Sequence, residues 1–158
     1  MSAVAKEAGV ATGTAYTYYG SKEDLVIAAY LETKLEMGEV ALDAADLGLV
    51  PEERFVAIWK AVFKYLQANR DQARFLVQIE SSPYLEKARS RSGGEKGPFS
   101  QIVEAEDMAS ELAALSPIVI YELGIAPAVR LAAGGVRLDK AELVGTATGC
   151  WRAISRPN

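Results

Sequence analysis

From Ser21 to Ile154 the apolar side chains recur three and four residues apart, and nowhere alternate for long enough to build a strand. That spacing restricts the chain to an all-α fold. Ser21 is placed to cap a long helix whose first turn carries Glu23 and Asp24 near the positive end of the dipole. Leu25, Ala28, Leu31, Leu35, Gly38 and Leu42 fall on one stripe of it, and it runs out near Asp46-Leu47-Gly48. Pro51, followed by Glu52 and Glu53, opens a second helix with Phe55, Ile58, Trp59, Val62 and Leu66 on one face, ending near Asn69. A shorter helix from Asp71 presents Phe75, Leu76 and Ile79, and Ser82-Pro83 starts a turn or helix through Tyr84 and Leu85. The basic, Gly- and Ser-rich stretch 87–98 reads as a mobile loop.

A helix over about 99–115 follows, with Ile102, Val103, Met108 and Leu112 among its apolar positions. Ser116-Pro117 then begins a very apolar segment, 118–133, in which Pro127 cannot donate to the carbonyl of Leu123, so a kink or break is expected there. Gly134-Gly135 ends it. The last helix, about 139–154, sets Leu143, Ala147, Cys150, Trp151 and Ile154 on one face, with Gly145 and Gly149 nearby. These two final helices are too apolar to stand alone on a surface. They either close the core as a hairpin or pair with a second copy, and the second arrangement is the one expected.

The first 25 residues are organised differently. Residues 4–25, Val4-Ala5-Lys6-Glu7-Ala8-Gly9-Val10-Ala11-Thr12-Gly13-Thr14-Ala15-Tyr16-Thr17-Tyr18-Tyr19-Gly20-Ser21-Lys22-Glu23-Asp24-Leu25, read as helix, tight turn, helix. Ala5 lets a second helix approach, Gly9 supplies the positive φ that a sharp turn requires, and Val10 can plug the angle between the two helices. After the turn, Thr12 can cap a helix from which Thr14, Thr17 and Tyr18 project, side chains suited to base edges and phosphates.

Taken whole, Ala8-Gly9-Val10, Gly13-Thr14-Ala15-Tyr16 and Tyr18-Tyr19-Gly20-Ser21-Lys22-Glu23-Asp24-Leu25 resemble the DNA-binding signature of the tetracycline-repressor (TetR) family of bacterial transcription regulators. The resemblance implies a short recognition helix carrying Thr12, Gly13, Thr14, Tyr16, Thr17 and Tyr18, with Lys22 on a phosphate at the start of the next helix. Ala11 stands where the family usually has serine, Ala15 where it has leucine and Tyr19 where it has phenylalanine. Family members also carry an amphipathic helix before this motif. The sequence opens at Met1 without room for it, so the DNA-binding unit is expected to be incomplete and an upstream segment to be missing.

The division expected is therefore a helix-turn-helix segment over 1–25, its first helix missing, and a helical effector-binding and dimerisation domain over 26–158. The long helix begins at the DNA motif and ends in the body, so a shift of its far end would move the recognition helix. Apolar residues at 50% and charged residues at 24% describe an ordinary globular protein. The net charge of −4 confines any DNA contact to one end, and residues 1–25 hold only Lys6 and Lys22 against Glu7, Glu23 and Asp24. The lone Cys150 excludes an intrachain disulfide and fits a reducing cytoplasm, and no membrane-spanning segment stands out. With no histidine, a serine-histidine-aspartate triad and ordinary zinc sites are excluded, and neither a phosphate loop nor a nucleophile elbow is present. An enzyme is not expected, and neither a metal, a cofactor nor a catalytic residue is assigned.

Between the bridging helix and the final pair lie Trp59, Phe63, Phe75, Ile79, Tyr84, Met108 and Tyr121, more aromatic and flexible apolar side chains than a minimal core needs. The resemblance implies that such middle helices enclose a small apolar effector. It also implies that the last two helices of two subunits form a four-helix bundle, here through Leu143, Ala147, Cys150, Trp151 and Ile154. The expected function is a sequence-specific DNA-binding repressor, homodimeric on a palindromic double-stranded operator and released by a small apolar effector. The alternative is a helical small-molecule-binding dimer that no longer binds DNA.

Overall fold

A computed structural model describes residues 20–92 and 97–157. Among them nine helices follow in order: α1 (Lys22–Asp43), α2 (Pro51–Ala68), α3 (Arg70–Glu80), α4 (Tyr84–Arg91), α5 (Pro98–Glu104), α6 (Glu106–Glu111), α7 (Pro117–Gly124), α8 (Ala126–Gly134) and α9 (Lys140–Ile154). The strand-like pairing among the described residues is one isolated antiparallel bridge, Leu112 to Ser155. The protein is all-α.

α2 runs through the centre and is packed by α1, α3, α8 and α9. Its buried face is the expected one: Phe55, Ile58, Trp59, Val62 and Leu66, joined by Phe63. Trp59 is completely buried, stacks on Phe63 with ring centroids 5.4 Å apart, and donates its indole N–H to the carbonyl of Gly124 at 3.1 Å. That bond satisfies the one polar atom of a side chain otherwise enclosed by apolar neighbours.

α1 starts as expected, with the Ser21 hydroxyl oxygen accepting from the Asp24 N–H at 3.0 Å. Its buried face differs from the leucine stripe. Leu35 and Leu42 are exposed, at 50% and 40%, whereas Val26, Ile27, Tyr30, Met37 and Ala41 are buried. The reason is that α1 is held by α2 and α3 and also by α4 and α5, so several elements choose a wide face that a single-helix pattern does not mark. Gly38 permits one of these approaches: a Cβ there would lie 3.0 Å from that of Pro98 at the start of α5.

Two further expectations are corrected. The stretch expected as a loop from residue 87 is helical through Arg91, because Lys87 pairs with Glu23 at 2.6 Å and Arg91 with Asp24, fastening α4 to the first turn of α1. The helix expected over 99–115 is two short helices, broken at Ala105, whose ψ of 132° is extended. The break turns Ile102 and Met108 both into the core and brings Asp107 to Arg54, 2.7 Å away. Beyond Glu111 the chain is extended, and Ala113 N–H donates to the Ile154 carbonyl while Arg156 N–H donates to that of Glu111, each at 2.8 Å.

The break near Pro127 is present. α7 ends at Gly124 and α8 starts at Ala126, which puts Pro127 in a first turn, where its missing N–H leaves no helical bond unmade. The stretch Pro117–Gly134 has the length and the mean hydropathy, 1.3, of a membrane span, yet it is divided here, and α8 buries Ala128, Val129 and Ala132 against α2 and α3. Gly135 ends α8 with φ +73°. Asp139 caps α9 through a reciprocal capping box with Glu142.

Candidate functional site

A cavity of about 230 Å³ opens between α2, α5, α6, α7 and α9. Its walls come from Phe55 and Ile58 of α2, from Phe99, Ser100, Ile102, Val103 and Glu104 of α5, from Met108 of α6 and Leu112 just after it, from Pro117, Ile120 and Tyr121 of α7 with Ile125 beyond, and from Ile154 of α9. Those residues come together because α5 and α6 are short and angled, which leaves a gap that a single straight helix would have closed. The lining is almost wholly apolar, with Ser100 and the exposed Glu104 as its polar members. A cavity of this size takes a compact molecule, since about 150 Å³ already admits benzene.

Of the seven residues expected around an effector, Met108 and Tyr121 line this cavity. Trp59 and Phe63 are instead stacked core residues, and Ile79 is buried in the core on α3. Phe75 and Tyr84 are half-buried against the same core and stand away from the lining. Sequence reasoning missed Phe55, Phe99, Ile102, Ile120 and Ile154. Helical spacing identifies these as apolar and inward, but only the relative tilt of five helices decides which inward residues meet a gap.

One charged cluster adjoins the cavity. Lys34 of α1 places its ammonium 3.6 Å from the centre of the Tyr121 ring and 5.8 Å from that of Phe99, two rings that line the cavity. Glu80, at the end of α3, lies 3.8 Å from the same ammonium and accepts the Tyr121 hydroxyl proton at 2.7 Å. Burial lowers the Lys34 amine to about 8 against the opposing pull of Glu80. Burial also raises the Tyr121 phenol well above its usual range and the Tyr30 phenol, beside them, to about 12. Among the described residues no group of three or more His, Cys, Asp or Glu side chains is placed to hold a metal ion.

At the other end of α1, Lys22 is exposed in the first turn. The other residues expected on DNA, Thr12, Gly13, Thr14, Tyr16, Thr17 and Tyr18, lie outside the described residues, as does the expectation of a missing first helix. The face of α9 expected to pair with a second copy is turned inward. Ala147, Cys150, Trp151 and Ile154 are buried in the subunit's own core, with Trp151 against Phe55 at 5.5 Å, and Leu143 is half-buried on the same cluster. α9 must cover α2 first, and only its opposite face is left open. That open face carries Val144, Gly145 and Gly149 and continues onto Ile118, Val119 and Leu123 of α7, apolar side chains exposed between 37% and 43%.

The comparisons with known proteins agree with this architecture. The sequence model for bacterial regulatory proteins of the tetR family matches residues 1–29. A TetR-family transcriptional regulator from Haemophilus influenzae is 25% identical and superposes with a TM-score of 0.73 over 96% of this chain and 82% of its own. A TetR-family regulator from Marinobacter aquaeolei is 18% identical, with a TM-score of 0.68 over 97% of this chain and 83% of its own, and shares the fold. So does a TetR-family protein from Vibrio parahaemolyticus, 22% identical with a TM-score of 0.68 over 99% and 87%. No curated protein sequence matches the chain. The signature of the tetR family of bacterial regulatory proteins thus stands at the head of α1, and the helices that follow share the fold of TetR-family transcriptional regulators.

Proposed function

We propose that the protein is a repressor that binds a palindromic operator as a homodimer and is released when a small, largely apolar effector enters the cavity between α2, α5, α6, α7 and α9. The observation that carries this reading is the path from the cavity to α1. Phe99 and Tyr121 line the cavity and hold Lys34 of α1, and Pro98 packs on Gly38 one turn further along. α1 continues to Lys22, where the family signature lies. An effector that prefers one setting of α5 and α7 therefore biases the tilt of α1, and a coupling of about 1–3 kcal/mol is enough to change operator occupancy.

The exposed apolar face of α7 and α9 supports pairing with a second copy. Val144, Ile118, Val119 and Leu123 form it, and Gly145 and Gly149 between them have open space where a Cβ would stand, so another helix can approach closely. A twofold pair places two recognition helices on half-sites about 34–36 Å apart.

Selection from a random double-stranded DNA pool tests the reading. Recovery of two inverted half-sites supports it, with affinity falling by roughly 0.9 log units per log unit of salt for each phosphate contacted. Recovery of no preferred sequence would favour a DNA-silent sensor dimer. A selected operator whose binding no apolar compound weakens would leave a regulator without the effector switch.

A further inference from the structure

The Tyr121 and Phe99 rings and the Glu80 carboxylate surround a single ammonium, and that ammonium belongs to the protein. Aromatic faces with a buried carboxylate are the chemistry that holds organic cations. Lys34 fills this cradle from α1, at 3.6 Å from one ring centre and 3.8 Å from the carboxylate. Glu80 is 8% exposed in its side chain, so it depends on a cation beside it. The neighbouring Glu122 is engaged by Arg130 at 2.5 Å. If Lys34 withdraws, Glu80 keeps the hydrogen bond from the Tyr121 hydroxyl, with the Arg89 charge acting on the same cluster from farther away.

We infer that this cradle is the head-group site of the cavity, that its ligand is a small lipophilic ammonium compound, and that the ligand acts by taking the place of Lys34. The inference rests on the effector reading above and adds to it the ligand's charge. The cavity supplies the apolar half of the site: Ile102, Ile120, Ile125 and Ile154 would take the hydrocarbon tail, while the head would pass Phe99 and Tyr121, the two lining rings that touch Lys34, to reach Glu80 behind the lining. An anionic head would face Glu80. Burial sets the Lys34 amine at about 8, below its usual range, so the site holds this ammonium less firmly than water does. Displacement releases the contact between α1 and α7, so occupancy and the setting of α1 are linked through one side chain.

Benzyltrimethylammonium and neopentylbenzene differ only in nitrogen for carbon, and NMR titration of the full chain with each provides the test. The expected result is that the cation binds about tenfold more tightly, the size of a desolvated cation–π contact, and that Glu80→Gln removes the preference. Lys34→Met, which removes the resident ammonium and leaves Glu80, should tighten the cation by a similar factor. Equal affinities, a preference for the neutral compound, or a cation affinity unchanged in Lys34→Met would overturn the inference while leaving an effector cavity in place. Binding of neither compound, together with failure of a broad apolar set to bind, would overturn this inference and the effector reading alike.

Discussion

Nη2 of Arg54 lies 2.7 Å from Oδ2 of Asp107, an ion pair that fastens α6, one wall of the cavity, to the start of α2. The same guanidinium gathers the loop between α1 and α2: Nε donates to the Asp46 carbonyl at 3.1 Å, and Nη2 to those of Leu47 at 3.2 Å and Leu49 at 2.9 Å. Arg54 is 2% exposed, and its Nη1 is buried without a hydrogen-bond partner among the described residues. This one side chain closes the turn after α1 and holds α6. Arg54→Ala is expected to cost about 3 kcal/mol, through lost charge-assisted bonds and the space left behind; a urea midpoint equal to that of the parent would refute the role.

The Arg54 hydrogen bond also holds the Asp107 carboxyl below the usual carboxylate range. A depressed carboxylate stabilises the fold fully above its unfolded pKa, about 3.9, and that contribution is lost as pH falls through the lower folded value. Asp107→Asn should therefore lower the urea midpoint at pH 7 and lose less stability than the parent on acidification below pH 4. Parallel acid profiles for the two proteins would contradict this.

Lys34 gives stability a dependence of the same sign at higher pH. Its amine titrates at about 8 in the folded chain, and near 10.4 when unfolded, so between these values the unfolded chain binds more protons and stability rises with pH. The Tyr30 phenol, pushed up to about 12, reverses the trend above about pH 10, where the unfolded phenol ionises first. Urea midpoints should increase from pH 7.5 to 9.5 in the parent and show no rise in Lys34→Met, where burial of the Cys150 thiol gives the opposite slope. An equal rise in both would assign the effect to another group.

Gly38 and Pro98 set the distance between α1 and α5. A Cβ at residue 38 would stand 3.0 Å from Pro98 Cβ and 3.1 Å from its Cγ, and the proline ring has little freedom to move aside. Gly38→Val is expected to destabilise by about 2 kcal/mol through overpacking, although a side chain at that position favours the helix itself. A gain in melting temperature would show that α5 is free to shift.

Gly134 and Gly135 are adjacent and should respond in opposite directions. Gly134 is the last helical residue of α8, and a Cβ there meets only Val136 at ordinary contact distance, so Gly134→Ala should add about 0.5–1 kcal/mol of stability. Gly135 has φ +73°, and a Cβ there would run into the Arg70 guanidinium, so Gly135→Ala should lower stability by about 1–2 kcal/mol. Thermal melts of the two variants decide the matter, and the same sign in both would refute it.

Local features of the chain were open to reading from its residues. Ser21, Pro51, Pro117, Gly135 and Asp139 mark helix ends through their own backbone and side-chain chemistry, and the buried face of α2 follows from spacing alone, because both are decided within a few residues. The N-terminal motif was legible for the same reason, being a contiguous string. Everything that depends on several helices meeting was left to the tertiary structure. The break at Ala105 answers to Arg54, about fifty residues earlier, and Lys87 and Arg91 lie in a helix because Glu23 and Asp24 face them. Apolar periodicity says that Trp59, Cys150 and Trp151 point inward, but not whether inward means core, cavity or partner. That choice depends on the tilt and separation of helices, quantities set by packing the whole chain at once.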